Sequence, residues 1–120
     1  MPQPEVTVRK SMSSSSPESF EYRQGEFFCE ELSFLSLAAG FGTPTYVYSQ
    51  AAILHNLAQM RASLTRIPGL VCYSVKANSN LRILSLLRQA GAGFDVVSGG
   101  ELARALRAGA APGDVGAASG

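Results

Sequence analysis

The chain has no tryptophan, a single histidine and two cysteines in 120 residues. Cys29 and Cys72 stand far apart, with no CxxC spacing and no histidine-rich context. Such a set builds neither a disulfide framework nor a zinc site, so no metal is expected. A cytoplasmic, reducing setting is expected, with both thiols buried as small apolar groups. An excess of charge is missing too: the net charge is +1 and charged residues make up 16%. Without a basic stripe, neither nucleic acid nor a membrane surface is an expected partner. No apolar run approaches the roughly 18 residues of a membrane span. The N-terminus carries no apolar signal region, and Glu5 and Glu18 break the basic character of a transit peptide. No GxGxxG or P-loop pattern occurs, which argues against a nucleotide-binding module.

What is present is a globular composition, 46% hydrophobic, long enough for one modest domain. Residues 1–19 hold Pro2, Pro4, Pro17 and four consecutive serines, Ser13 to Ser16, and are expected to form a disordered leader. Residues 20–48 read as a hairpin and strand segment. Phe20 to Arg23 and Glu26 to Cys29 flank a Gln24-Gly25 turn, a short helix runs from Glu31 to Ala39 with Gly40 as its C-cap, and Thr45 to Tyr48 is a brief strand. Residues 49–120 read as alternating helix and strand. Ser49 caps a helix whose apolar face is Ile53, Leu57, Met60 and Leu64. A strand around Val71 to Lys76 follows, then a helix from Leu81 to Ala90, a strand from Phe94 to Val97, and a helix from Ser98 to Ala108 that stops at Gly109. Alternation with short glycine-rich joins predicts an α/β fold with parallel strands and crossover helices. A further strand would start near Asp114, but Gly116-Ala117-Ala118-Ser119-Gly120 has no strand character.

Lys76 is out of place in this pattern. It ends the β-branched and aromatic run Val71-Cys72-Tyr73-Ser74-Val75 and is followed at once by the polar Asn78-Ser79-Asn80. Strand alternation puts Cys72, Ser74 and Lys76 on one face and Val71, Tyr73 and Val75 on the other. In an α/β barrel the first set points inward and Lys76 lies at the C-terminal mouth, where active sites of that fold collect. Desolvation there would favour a neutral, nucleophilic amine. An ordinary surface lysine ending a strand fits the same local residues. Asp95, on the next strand, is either a site carboxylate or a strand-end group bonded to loop amides. Ser98-x-x-Glu101 forms a capping box, a role that alone accounts for the glutamate. Gly99-Gly100 would admit a phosphate to a helix N-terminus but is a weak signal, and His55 reads as a helix-surface residue.

Tyr73-Ser74-Val75-Lys76-Ala77-Asn78-Ser79-Asn80, followed by Gly93-Phe94-Asp95-Val96-Val97-Ser98-Gly99-Gly100-Glu101-Leu102, resembles the pyridoxal-phosphate-dependent decarboxylases of the alanine-racemase-like fold. Asp95 follows Lys76 by nineteen residues. Within that family the chain is most similar to the diaminopimelate decarboxylases, and the likeness extends upstream through Phe20-Glu21-Tyr22-Arg23 and Gly42 to Tyr48. The resemblance implies the N-terminal part of a (β/α)8 barrel of the TIM type (fold type III), here truncated after about two βα units. It makes Lys76 the residue that joins pyridoxal 5'-phosphate as a Schiff base, Asp95 a cofactor-proximal carboxylate and Glu101 a support for the same region. The implied reaction is loss of CO₂ from meso-2,6-diaminopimelate to give L-lysine, by an enzyme that is a homodimer at full length.

Decarboxylases of ornithine or arginine share the lysine and the aspartate but typically vary the residues after both, and a related racemase is a further reading. They remain alternatives, as does a non-catalytic truncated product. The family's ring-stacking histidine, glycine-rich phosphate loop and acidic partner of the pyridine nitrogen have no match here. The 120 residues by themselves are therefore expected to be inactive and marginally stable.

Overall fold

The computed structural model describes residues 19–117. The expected leader lies outside them except for Ser19, whose carbonyl accepts a 2.8 Å hydrogen bond from the Glu30 amide. The chain divides into two compact units, Met1–Ala52 and Ile53–Gly120.

In the first unit, β1 (Phe20–Arg23) and β2 (Glu26–Cys29) pair antiparallel, with Phe20 opposite Cys29 and Arg23 opposite Glu26. Gln24 and Gly25 make the expected turn with φ of 51° and 82°. Two consecutive positive values match the twist of the flanking strands. Tyr22, Phe27 and Phe34 pack together as tilted rings, with centroids 4.7 and 4.8 Å apart along that series. The Arg23 guanidinium lies 4.9 Å from the Phe28 ring centroid and donates to Glu21 and to the Glu30 carbonyl. A two-residue strand, β3 (Leu32–Ser33), pairs with β2 and delays the helix α1, which spans Phe34–Phe41 rather than 31–39. Ser33 caps α1 by accepting from the Ser36 amide at 3.0 Å. Gly40 lies within α1, and Gly42, at φ 79°, ends it. No strand forms over 45–48 among the described residues, because no neighbouring backbone pairs with it; Tyr46 and Tyr48 are exposed.

Ser49 caps the next helix as expected, accepting from the Ala52 amide at 3.0 Å. Glu30 supplies a second cap that sequence reading missed. Its Oε1 accepts from the Ser49 hydroxyl at 3.0 Å and from the Ala51 amide at 2.9 Å. A carboxylate on orphan amides at a helix start is favoured by the helix dipole as well as by the hydrogen bonds.

The second unit takes up that helix, α2 (Gln50–Ser63), and continues β4 (Cys72–Ser74), a 3-10 turn (Val75–Ala77), α3 (Leu81–Gln89), β5 (Gly93–Val96), α4 (Gly99–Arg107) and β6 (Val115–Ala117). The three strands are parallel in the order β4-β5-β6. The last of them corrects the expectation that the residues after Asp114 form no strand; the two βα units, β4–α3 and β5–α4, are as expected. Backbone pairing of Phe94 with Val115 and of Val96 with Ala117 overrides the poor strand propensity of glycine and alanine.

One sheet face, carrying Tyr73, Phe94 and Val115, packs under the helices; Val75, Leu84 and Phe94 are wholly buried. Ile83, Leu84 and Leu87 face the core from α3 as their spacing requires, and Ala105 does so from α4. Only half of the expected α2 face is covered. Leu57 is buried and Ile53 half-buried, but Met60 is 58% exposed and Leu64 lies past the helix end. Gly91 and Gly109, both at positive φ, release the chain after α3 and α4. Among the described residues no helix is long and apolar enough to cross a membrane.

Gly93 is fixed by space. A Cβ there would stand 2.7 Å from the Asp114 carbonyl oxygen and 2.5 Å from Leu70 Cδ2, and the backbone atom cannot move aside without breaking the β5–β6 join. Gly93→Ala is expected to cost about 1–3 kcal/mol, read as a lower urea midpoint; an unchanged midpoint would show that the join is looser than described.

The two thiols differ, against the expectation that both are buried. Cys29 is buried, and burial first, then the Glu30 charge, pushes its thiol pKa up. Cys72 is exposed, on the sheet face away from the helices. Iodoacetamide at neutral pH is expected to label Cys72 at least about tenfold faster than Cys29; equal rates by peptide mass mapping would contradict the assignment.

Candidate functional site

Parallel strands present their C-terminal ends together, and the three candidate residues meet there. Ser74, Asp95 and Gly116 form one cross-strand row on the face opposite the core. Lys76 lies two residues beyond Ser74. It is not on the strand as expected, because β4 ends at Ser74 and the chain tightens into the 3-10 turn. Val75 turns into the core and is wholly buried, which anchors the turn, while Lys76 is exposed. The desolvation expected for this amine is thus not supplied by the described residues. Its ammonium makes no hydrogen bond or ion pair among them.

Asp95 is half-buried in β5 and, among the described residues, bonds neither a loop amide nor Lys76. Lys76 and Asp95 share an end of the sheet, then, but are not an ion pair. Glu101 sits in the first turn of α4. Ser98 Oγ accepts from the Glu101 amide at 3.2 Å, as a capping box requires, but Glu101 Oε1 accepts from the Val97 amide at 3.2 Å rather than from that of Ser98. The ladder of β5 ends at Val96, so the Val97 amide is the donor left over. Glu101 Oε2 is buried and has no hydrogen-bond partner among the described residues.

The loop that carries Lys76 is held by residues that sequence reading did not single out. Tyr73 Oη donates to the Asn78 carbonyl at 3.5 Å, and Asn78 Oδ1 accepts from the Asn80 amide at 3.0 Å. Asn80 Oδ1 in turn accepts from the Arg82 amide at 2.9 Å and caps α3. Arg104 Nη1 donates to the Ser79 carbonyl at 3.0 Å. The Asn-x-Asn spacing was a legible signal, since asparagine side chains bond the backbone two residues on. Arg104 was not legible: its partner is a backbone carbonyl twenty-five residues away.

No group of three or more histidine, cysteine or acidic side chains among the described residues would hold a metal ion. The arrangement offers an amine uncommitted among the described residues, a carboxylate in β5 and another in the first turn of α4, which suits covalent capture of a carbonyl compound.

Strand, helix, strand, helix and strand in parallel, with the candidate groups at the strands' C-terminal ends, is the βα arrangement that (β/α) barrels repeat. Residues 50–120 match the family model described as "Pyridoxal-dependent decarboxylase, pyridoxal binding domain". The chain belongs to that family. It is 52% identical over 92 residues to a diaminopimelate decarboxylase of Pseudomonas fluorescens, covering 77% of this chain and 22% of that protein. The crystal structure of AQ1208 from Aquifex aeolicus superposes with a TM-score of 0.81 at 43% identity, covering 87% of this chain and 25% of that one. Diaminopimelate decarboxylase from M. jannaschii in complex with L-lysine gives a TM-score of 0.75 at 34% identity, covering 85% and 25%. The chain therefore spans about a quarter of the length of the relatives it matches.

Proposed function

We propose that this chain is the lysine-bearing part of a diaminopimelate decarboxylase, a carboxy-lyase that releases CO₂ from meso-2,6-diaminopimelate to form L-lysine. The observation that carries the reading is Lys76: an exposed, uncommitted amine held at the C-terminal end of a parallel sheet in a pyridoxal-binding domain. The donor set fits the cofactor at its aldehyde end. Lys76 offers the amine, Asp95 a carboxylate on the neighbouring strand that is unpaired among the described residues, and Glu101 Oε2 a buried acceptor with no donor among them. When bound, pyridoxal 5'-phosphate supplies the electron sink for the pair left behind by CO₂.

The chain's own residues do the rest of the work assigned to this segment. Lys76 Nζ attacks only in its neutral form, so a proton must leave it first. Val75, locked in the core, and the bonded Asn78–Asn80 loop fix where that nitrogen stands. Asp95 places a carboxylate beside Ser74 in the neighbouring strand, and Glu101 ties the start of α4 to the end of β5. Within these 120 residues no glycine-rich phosphate loop or ring-stacking histidine is recognised, and the chain alone is expected not to release CO₂ from diaminopimelate.

The test is a chimera in which residues 20–117 replace the matching segment of the Pseudomonas fluorescens enzyme, expressed in a bacterium lacking its own diaminopimelate decarboxylase. Lysine-independent growth supports the reading. A soluble chimera that fails to restore growth, or that releases CO₂ from ornithine or arginine instead, overturns the substrate assignment.

A further inference from the structure

The bare surroundings of Lys76 raise the question of what orients it. Its side chain has no partner among the described residues, so its position is inherited from the backbone of residues 75–80. One end of that segment is fixed by Val75 in the core, and the other by Asn80 at the start of α3. Between them the Ser79 carbonyl receives the Arg104 guanidinium from α4, and the turn holding Lys76 packs against both α4 and β5. Arg104 stands one helical turn from Glu101, which holds the Val97 amide. One face of α4 thus grips the loop after β4 and the loop after β5 at the same time.

We infer that Arg104 is a positioning residue for Lys76, acting through the Ser79 carbonyl; this rests on the pyridoxal reading only for what Lys76 does, not for the clamp. An N–H donor carrying full charge makes a stronger bond to a carbonyl than a neutral one. The site is exposed, so water competes and the clamp is worth a modest factor. Losing it raises local opening about three- to tenfold.

The experiment uses the whole 120-residue chain and the variants Arg104→Gln and Arg104→Lys. Hydrogen–deuterium exchange is followed at the Asn80 amide, which is bonded inside the loop, and at Ala92, whose amide is bonded to the Leu87 carbonyl, and Phe94 in β5 as references. In parallel, each protein is mixed with pyridoxal 5'-phosphate, quenched with borohydride at intervals, and the rate of modification at Lys76 is read by mass spectrometry. In Arg104→Gln the Asn80 amide is expected to exchange about three- to tenfold faster and Lys76 to react several-fold more slowly, with the reference amides unmoved. Arg104→Lys is expected to recover part of both. Unchanged exchange at Asn80 overturns the clamp, as does equal acceleration at all three sites, which marks general loosening. Faster exchange with an unaltered rate at Lys76 overturns the positioning role. If the parent chain is never modified at Lys76, the pyridoxal reading fails, and the exchange result alone decides the clamp.

Discussion

Lys76→Ala is expected to abolish reductive trapping of pyridoxal 5'-phosphate on this chain and, in the Pseudomonas fluorescens chimera, to lower turnover on the order of 10³-fold or more. The size follows from covalency: without the amine there is no bond to the cofactor, and no neighbouring group can replace it. Asp95 and Glu101 are carboxylates, and Arg104 is held on the Ser79 carbonyl. Loss of folding would not be the cause. Lys76 is exposed and unpaired among the described residues, so its truncation is expected to move stability by no more than about 0.5 kcal/mol. Circular dichroism and a urea midpoint check that half of the prediction. A chimera bearing Lys76→Ala that keeps most of its activity would remove Lys76 from the mechanism.

Phe94→Ala is expected to have the largest effect on stability, about 3–5 kcal/mol. The ring is wholly buried in the central strand of the parallel sheet, opposite Tyr73 on one side and Val115 on the other. It therefore holds both neighbouring strands, and its removal leaves a cavity below the row that sets Ser74, Asp95 and Gly116 side by side. For a domain of this size that loss approaches the whole stability. Differential scanning calorimetry is expected to show the cooperative transition of the parent collapse or vanish. A melting temperature within a few degrees of the parent would mean that Phe94 is not central to the core.

Helices were the most legible part of this sequence. Leu84 and Leu87, with Ile83, declare the buried face of α3 by spacing alone, and Ser98 and Gly109 bracket α4. Strands were less legible, because a strand depends on a neighbour. Thr45 to Tyr48 has the β-branched and aromatic composition of a strand yet pairs with nothing among the described residues. Val115-Gly116-Ala117 lacks that composition and pairs with β5. The same dependence shortened the strand before Lys76: burial of Val75 draws the chain into a turn, and alternation no longer applies beyond Ser74.

In the candidate site, Lys76 stood out because a lysine ending an apolar run asks for a reason, and family resemblance gave Asp95 and Glu101 their expected roles. Physical reasoning foresaw the Ser98–Glu101 cap but misplaced the glutamate's partner by one residue. Glu30 and Arg104 escaped notice altogether. Each acts on backbone groups distant in sequence, and neither side chain is unusual in its local setting.

The chain has only two lysines, Lys76 and Lys10, and this makes one measurement decisive. The folded chain is mixed with pyridoxal 5'-phosphate, reduced with borohydride and digested, and the modified amine is located by mass spectrometry. Stoichiometric modification of Lys76, with Lys10 and the N-terminal amine left at background, is the predicted result. Equal modification of all three amines, or none at Lys76, would contradict the claim that this fold presents Lys76 as the cofactor's covalent partner.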